Sequence, residues 1–392
     1  LKMSLREDAL RLHEEHKGKI SIESKLSVTN NEELSLAYSP GVAEPCKEIE
    51  ANPDDSYRYT SRGNLVAVIS DGTAVLGLGD IGPAAAMPVM EGKSILFKEF
   101  AGIDSIPLVV NEKDTDKLVE IIQSLEYSFG GINLEDISSP RCFEIERRLK
   151  EVMSIPVFHD DQHGTAIVVA AGLINALKLV NKNMSDIKVV LNGPGAAGTA
   201  IIKLLQDFGV KNIVAVDRKG ILVPSREGLS GHKVELAATT NPEKISGDLS
   251  EAVKGADVFV GVSVAGALTP EMVESMAQDP IVFALANPVP EIMYDLAIEH
   301  GVKVMGTGRS DFPNQINNVL AFPGIFKGAL SVRATQINEP MKMAAAKAIA
   351  ALISDEELTA EYVIPNPFDQ RVAPAVAKAV ADTAVSTGVA RI

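Results

Sequence analysis

Two successive α/β domains are predicted, the second a doubly wound parallel sheet. Three observations predict them. The chain's 392 residues exceed the usual single-domain range. Short apolar runs of strand length alternate with helical patterns along both halves. A strand pattern at residues 187–191 runs directly into Gly193-Pro-Gly195-Ala196-Ala197-Gly198 and then a helical pattern at 199–208. The boundary is placed at 160/161, giving domains 1–160 and 161–392, with C-terminal helices from about 329.

The second half is the more legible. Gly193, Gly195 and Gly198 match G-x-G-x-x-G between a strand and a helix, and Asp217 closes the next strand, N-I-V-A-V-D. Glycines let backbone approach a pyrophosphate, the helix start offers free N–H groups, and an acidic residue accepts bonds from a ribose. This predicts a Rossmann-type dinucleotide domain. Asp217 leans the cofactor to NAD, while Arg218 and Lys219 leave NADP open. Strands follow at 257–261, 281–285 and 302–305, and ligands of such sheets lie beyond the carboxyl ends of the strands. Ser263, Asn287 and the loop 306–318, with Asn317 and Asn318 at its end, gather there. These asparagines are either turn residues or amide contacts to cofactor or substrate. Helices at 340–353 and 373–384 complete the chain.

In the first half, residues 5–16 read as a solvated amphipathic helix used for packing or subunit contact. Tyr38 precedes Ser39-Pro40-Gly41, a turn signal that holds its phenol in a loop; the plain alternative is a half-buried tyrosine with its hydroxyl satisfied. A buried strand at 65–70 leads to Asp71-Gly72-Thr73 and to Gly77, Gly79 and Gly82. This second G-x-G-x-x-G is weak, because Pro83 and Pro88 are expected to spoil a regular helix behind it. Lys93 opens an apolar run, either snorkelling or desolvated and so usable as a base with a lowered pKa. After a strand at 106–110 and a helix at 119–125, residues 130–140 read as a loop-like turn that carries Glu135 and Asp136. Val157 and Phe158 end a strand and a helix runs over 164–180, so Asp160 and Asp161 stand at a strand-to-helix junction. One of them caps that helix, or they join Glu135 and Asp136 as oxygen ligands for magnesium or manganese.

Composition narrows the classes. Hydrophobic residues at 46% and charged residues at 23% are ordinary for a globular protein, and a formal charge of −15 disfavours nucleic-acid binding. No stretch is read as apolar enough to span a membrane, and no signal segment is seen at the start, so a cytoplasmic location is expected. Cys46 and Cys142 are read as free core thiols. The expected partner is a small molecule.

Taken together, Tyr38-Ser-Pro-Gly-Val-Ala, Asp71-Gly-Thr, Leu76-Gly-Leu-Gly-Asp80, Glu135-Asp136, Asp160-Asp161-Gln-His-Gly-Thr-Ala, Asn287-Pro and Asn317-Asn318 resemble the malic enzyme family over nearly the whole chain, in its short bacterial type. The resemblance implies oxidative decarboxylation of L-malate to pyruvate and carbon dioxide, reducing NAD or NADP with a divalent metal, by a homodimer. By position it implies Lys93 as base, Tyr38 as acid, Asp160 as a neighbouring site carboxylate, and Glu135, Asp136 and Asp161 as metal ligands. It implies that Asn287 and Asn318 touch substrate or nicotinamide ribose, with Asn317 close by. Alternatives are an enzyme that chiefly decarboxylates oxaloacetate and a non-catalytic nucleotide sensor. In one respect the chain departs: where large eukaryotic-type members carry a substrate-clamping arginine, this sequence reads Thr73-Ala74.

Overall fold

The computed structural model describes residues 4–75 and 77–392; Leu76 of the Leu-Gly-Leu-Gly-Asp run lies outside them. Among the described residues the chain builds two sheets. The first is parallel, with β1 (Leu65–Ser70), β2 (Asp104–Val109), β3 (Gly131–Leu134) and β4 (Val157–His159) in the order β2-β1-β3-β4. The second holds β5 (Lys188–Asn192), β6 (Asn212–Asp217), β7 (Gly220–Ile221), β8 (Val258–Gly261), β9 (Ile281–Ala284) and β10 (Val304–Thr307) in the order β10-β9-β8-β5-β6-β7. All its pairs are parallel except β6 with β7, a two-residue return that ends the sheet. The chain leaves β5 for β6 on one side and later returns to place β8 on the other, which creates the switch point where such sheets bind ligands.

Register explains how distant acidic residues meet. Ile69 pairs with Leu134 and Leu134 with His159, so three adjacent parallel strands end at the same level. Asp71, the Glu135-Asp136 pair and the Asp160-Asp161 pair therefore emerge on one edge.

Between the sheets runs the helix Asp160–Val180, with fourteen buried residues, packed on the helices Ala196–Asp207 and Glu339–Ala350. By length and composition this helix could cross a membrane, which corrects the reading that no stretch is apolar enough; here two thirds of its apolar window is buried inside the fold. Phe97, Phe158, Phe322 and Phe326 interlock by edge contacts at centroid separations of 4.8–5.8 Å and join the two halves in one core. Burying each such ring is worth on the order of 1.5–3 kcal/mol.

Five local expectations are corrected. The helix behind Gly82 is regular over Pro83–Ala101. Pro83 stands in its first turn, where no intrahelical N–H partner exists to lose, and the buried stripe Ala86, Met90, Lys93 and Phe97 offsets the bond that Pro88 removes. Residues 131–134 are a fully buried strand rather than a turn. The helix expected from 164 begins at Asp160, and the terminal helices begin with Phe322–Ser331. Cys142 is a buried thiol as expected, but Cys46 is exposed, because its helix Ala43–Ala51 buries nothing.

Candidate active site

Lys93 lies on the buried stripe of its helix and is only 8% exposed. Its Nζ donates to Asp160 Oδ2 at 2.7 Å, stands 3.2 Å from Glu135 Oε1, and sits 4.3 Å from the centroid of the Phe322 ring. It does not snorkel. Nor is its pKa lowered, as desolvation alone would have it: burial pulls it down, but the charges of Asp160 and Glu135 outweigh that and hold the amine above the ordinary lysine range.

Around this amine stand the carboxylates. Ligand atoms of Glu135, Asp136 and Asp161 all lie within 4.8 Å of one another. Burial, then the charge of Asp161, pushes Asp136 up to about 8, and burial raises Glu135 well above its usual range against the pull of Lys93. Asp136 is held at φ 54°, a conformation that costs a non-glycine residue about 1–3 kcal/mol. Its N–H donates to Asp161 Oδ2 at 2.7 Å, and its carbonyl accepts from Ala74 N–H at 3.0 Å. Among the described residues Asp136 Oδ2 and Asp160 Oδ1 are buried without a partner. Clustered, mutually repelling oxygens with open lone pairs fit a hard divalent cation.

Neither aspartate caps the helix. The cap position belongs to His159, and Asp161 turns its carboxylate back to Asp136. Asp160 is completely buried and also accepts from Asn318 Nδ2 at 2.5 Å. Gly164 is obligatory beneath it, because a Cβ there would run into the Asp160 carboxylate.

Of the three asparagines, Asn318 thus reaches the cluster. Asn317 accepts from Val319 N–H in its own turn, as a turn residue does, and Asn287 stands exposed beyond β9, beside Gly308. Among the described residues no hydrogen bond ties Tyr38 to the cluster: its side chain is 68% exposed, and its backbone bonds within residues 34–42.

The dinucleotide loop has the room its glycines suggest. A Cβ on Gly195 would project into open space, whereas one on Gly193, at φ 102°, would lie 2.5 Å from the carbonyl oxygen of Val262. Gly195-Ala196-Ala197 opens the helix Ala196–Asp207, so the space above Gly195 is a cradle for a phosphate. At the end of β6, Asp217 is clamped by Arg226, at 2.9 and 2.7 Å, and by Lys233 at 2.7 Å. Against burial, these bonds hold it far below the usual carboxylate range.

Sequence reasoning missed the buried group behind the Asp160-Asp161 turn. Glu146, on the helix Arg141–Val152, accepts from the N–H of His159, from Gln162 Nε2, from Lys150 Nζ and from His163 Nε2, the last at 2.7 Å. Burial pushes His163 down to about 4, so the neutral ring donates to Glu146 and its Nδ1 accepts from Lys342 Nζ at 3.2 Å. A charged residue on the apolar stripe Cys142, Ile145, Leu149 was the available signal. A cavity of about 810 Å³ opens beside His163 and Lys342, but no carboxylate of the cation cluster lines it, so it is not the substrate site. Arg141 was missed as well. It pairs with Asp71 at 2.8 Å, while its Nε and Nη2 have no hydrogen-bond partner among the described residues.

A dinucleotide cradle and a lysine ringed by carboxylates define a two-domain α/β oxidoreductase that works on a small acid. Comparison with known proteins makes this specific. Residues 16–150 match the malic enzyme N-terminal domain in two overlapping segments, 16–115 and 110–150. Residues 162–294 and 301–385 match the malic enzyme NAD binding domain. The chain belongs to the malic enzyme family. It is 64% identical to the bifunctional malic/malolactic enzyme of Bacillus subtilis, over 100% of this chain and 95% of that one. It is 57% identical to the NAD-dependent malic enzyme of Geobacillus stearothermophilus, over 95% and 78%. The crystal structure of NAD-dependent malic enzyme from Thermotoga maritima superposes with a TM-score of 0.93 at 53% identity, covering 95% of this chain and 99% of that one.

Proposed function

We propose that this protein oxidatively decarboxylates L-malate to pyruvate and carbon dioxide, with NAD as the preferred dinucleotide and a divalent cation, magnesium or manganese, held by Glu135, Asp136 and Asp161. The observation that carries the reading is the Lys93 amine fixed between Asp160 and Glu135 on the edge where all three ligand carboxylates meet. Held by those carboxylates, a divalent cation would supply Lewis acidity toward the C2 oxygen. As the free amine, Lys93 takes the C2 hydroxyl proton as hydride leaves C2 for the nicotinamide. Asp160 and Asn318 hold the amine's orientation. After carbon dioxide leaves, C3 of the enol takes a proton from the Tyr38 hydroxyl.

Arg141 is the cation assigned to a substrate carboxylate in place of the missing clamp, because two of its nitrogens are unpartnered among the described residues and its partner Asp71 begins the turn that carries Ala74. NAD is favoured by the charged Asp217 at the end of β6. The functional unit is a homodimer, the commonest closed assembly. One assay tests the reading: cofactor reduction with malate, run with NAD and NADP side by side and with magnesium, manganese or chelator. Carbon dioxide release from oxaloacetate with no reduction by malate would replace it.

A further inference from the structure

Beneath the ligand edge of the second sheet lies Glu291, a completely buried acid in the turn that follows Asn287-Pro288. A carboxyl group taken out of water persists only where hydrogen bonds replace its hydration. Glu291 Oε1 accepts from the N–H of Ser263 at 2.8 Å and from its hydroxyl at 3.0 Å, and Oε2 accepts from the N–H of Ala286 at 3.0 Å. The Ser263 hydroxyl in turn accepts from Asn192 Nδ2 at 2.8 Å. One side chain thus ties the loop after β8 to the loop after β9 and, through Ser263, reaches the last residue of β5.

Those three strand ends frame the crevice. Asn192 pairs with Gly261 and Gly261 with Ala284, so β5, β8 and β9 finish at one level, and β5 and β8 flank the switch point. Glycine at 261 makes the room, because a Cβ there would run into the Glu291 carboxylate. Gly193, the first of the dinucleotide glycines, abuts Val262 and Ser263. On the other side, Ala286 directly precedes Asn287. A dinucleotide laid across the switch point has its pyrophosphate on the Gly193 loop and its nicotinamide half toward the Asn287 turn. Glu291 holds both from below.

We propose that Glu291 is a positioning residue for the dinucleotide: through Ser263 and Ala286 it sets the separation of the Gly193 loop and the Asn287 turn, and so the presentation of the nicotinamide to C2 of the substrate. The proposal rests on the reading of this crevice as the nicotinamide site of a malate-oxidising enzyme. Three donors converge on the side chain, and a carboxylate meets all of them as an acceptor. An amide at 291 turns its own NH2 toward one of those donors and leaves that bond unmade. The loops then shift against each other, while the carboxylates of the cation cluster, carried by the first sheet, stay in place. Misplacing reacting atoms by about 1 Å costs on the order of 10²-fold in rate.

The test compares Glu291→Gln with wild type by NADH fluorescence titration, by Mn²⁺ titration and by kinetics with malate carrying hydrogen or deuterium at C2. NADH binding should weaken about tenfold, with the KM for NAD raised to match and a larger deuterium effect on kcat, because hydride transfer across a misaligned gap becomes limiting. The KM for malate and the Mn²⁺ affinity should stay within about twofold. Glu291→Asp keeps both acceptor oxygens on a shorter stem and should show the same shifts at smaller size; it carries the test should Glu291→Gln not fold. A lowered Tm with NADH affinity, KM for NAD and deuterium effect all unchanged makes Glu291 a structural group alone and overturns the proposal. An equal loss of Mn²⁺ affinity overturns it too, since the effect would then not be confined to the dinucleotide. A wild type that binds NADH yet reduces no NAD with malate sinks the malate reading instead, and the NADH titration of the variants still decides for or against Glu291.

Discussion

Lys93 Nζ and Asp160 Oδ2 stand 2.7 Å apart in a buried site, with Asn318 Nδ2 on the same oxygen. This bond aims the amine. Lys93→Ala is expected to lower kcat by about 10²–10⁴-fold, the usual worth of a positioned proton-transfer group. NADH binding, followed by its fluorescence, should stay within about twofold, because the dinucleotide loop begins a hundred residues later on another sheet. Near-normal turnover would remove Lys93 as the base.

Clustered carboxylates make stability depend on both pH and metal. Asp136 is pushed up to about 8 in the fold, against 3.8 unfolded. The folded state therefore holds a proton that the unfolded state has released, and its stability falls as pH rises toward 8. His163, pushed down from 6.5 to about 4, acts with the opposite sign, but only below about pH 6.5. Between pH 6.5 and 8.5 the chelated protein should lose Tm, and added Mn²⁺ should raise Tm most at the alkaline end. A metal-induced shift that is flat across that range would separate the cation from these carboxylates.

At the nucleotide end, Asp217 uses both oxygens on Arg226 and Lys233. Asp217→Ser frees both cations for a ribose 2′-phosphate, which guanidinium groups bind strongly. The ratio of kcat/KM for NADP to that for NAD should rise about tenfold or more. An unchanged ratio would mean that the pair does not face the adenosine ribose.

Much of this was legible in residue order because its causes are local. Gly193, Gly195 and Gly198 are needed where backbone meets phosphate, and the acidic pairs cluster in sequence before they cluster in space. Other features depend on neighbours that sequence does not display. Gly131-Ile-Asn-Leu134 looks like a turn by composition and becomes a strand because β1 and β4 flank it. Pro83 looked like a breaker but sits at a helix start, where it is harmless. Lys93 was legible as a desolvated lysine, yet the direction of its shift depends on Asp160, 67 residues away. Tyr38 was legible as a candidate, but not its exposure.

The buried Glu146 gives the last prediction. Its carboxylate is the shared acceptor for His159 N–H, Gln162, His163 and Lys150, and so fixes the turn that delivers Asp160 and Asp161. Glu146→Ala leaves those donors facing a void and Lys150 without its counter-charge. Removing one partner of a buried pair costs about 3–5 kcal/mol, so a large drop in Tm is expected. Glu146→Gln keeps the shape and two of the hydrogen bonds but not the charge, and it should fold. Because Glu146 lies behind the turn and does not touch substrate, the Gln variant should show weakened Mn²⁺ affinity and lowered kcat with little change in the Km for NAD. Second-layer partners of ligand groups are typically worth about 10–100-fold in metal affinity. Unaltered Mn²⁺ titration in a folded Glu146→Gln protein would reduce Glu146 to a structural ion pair.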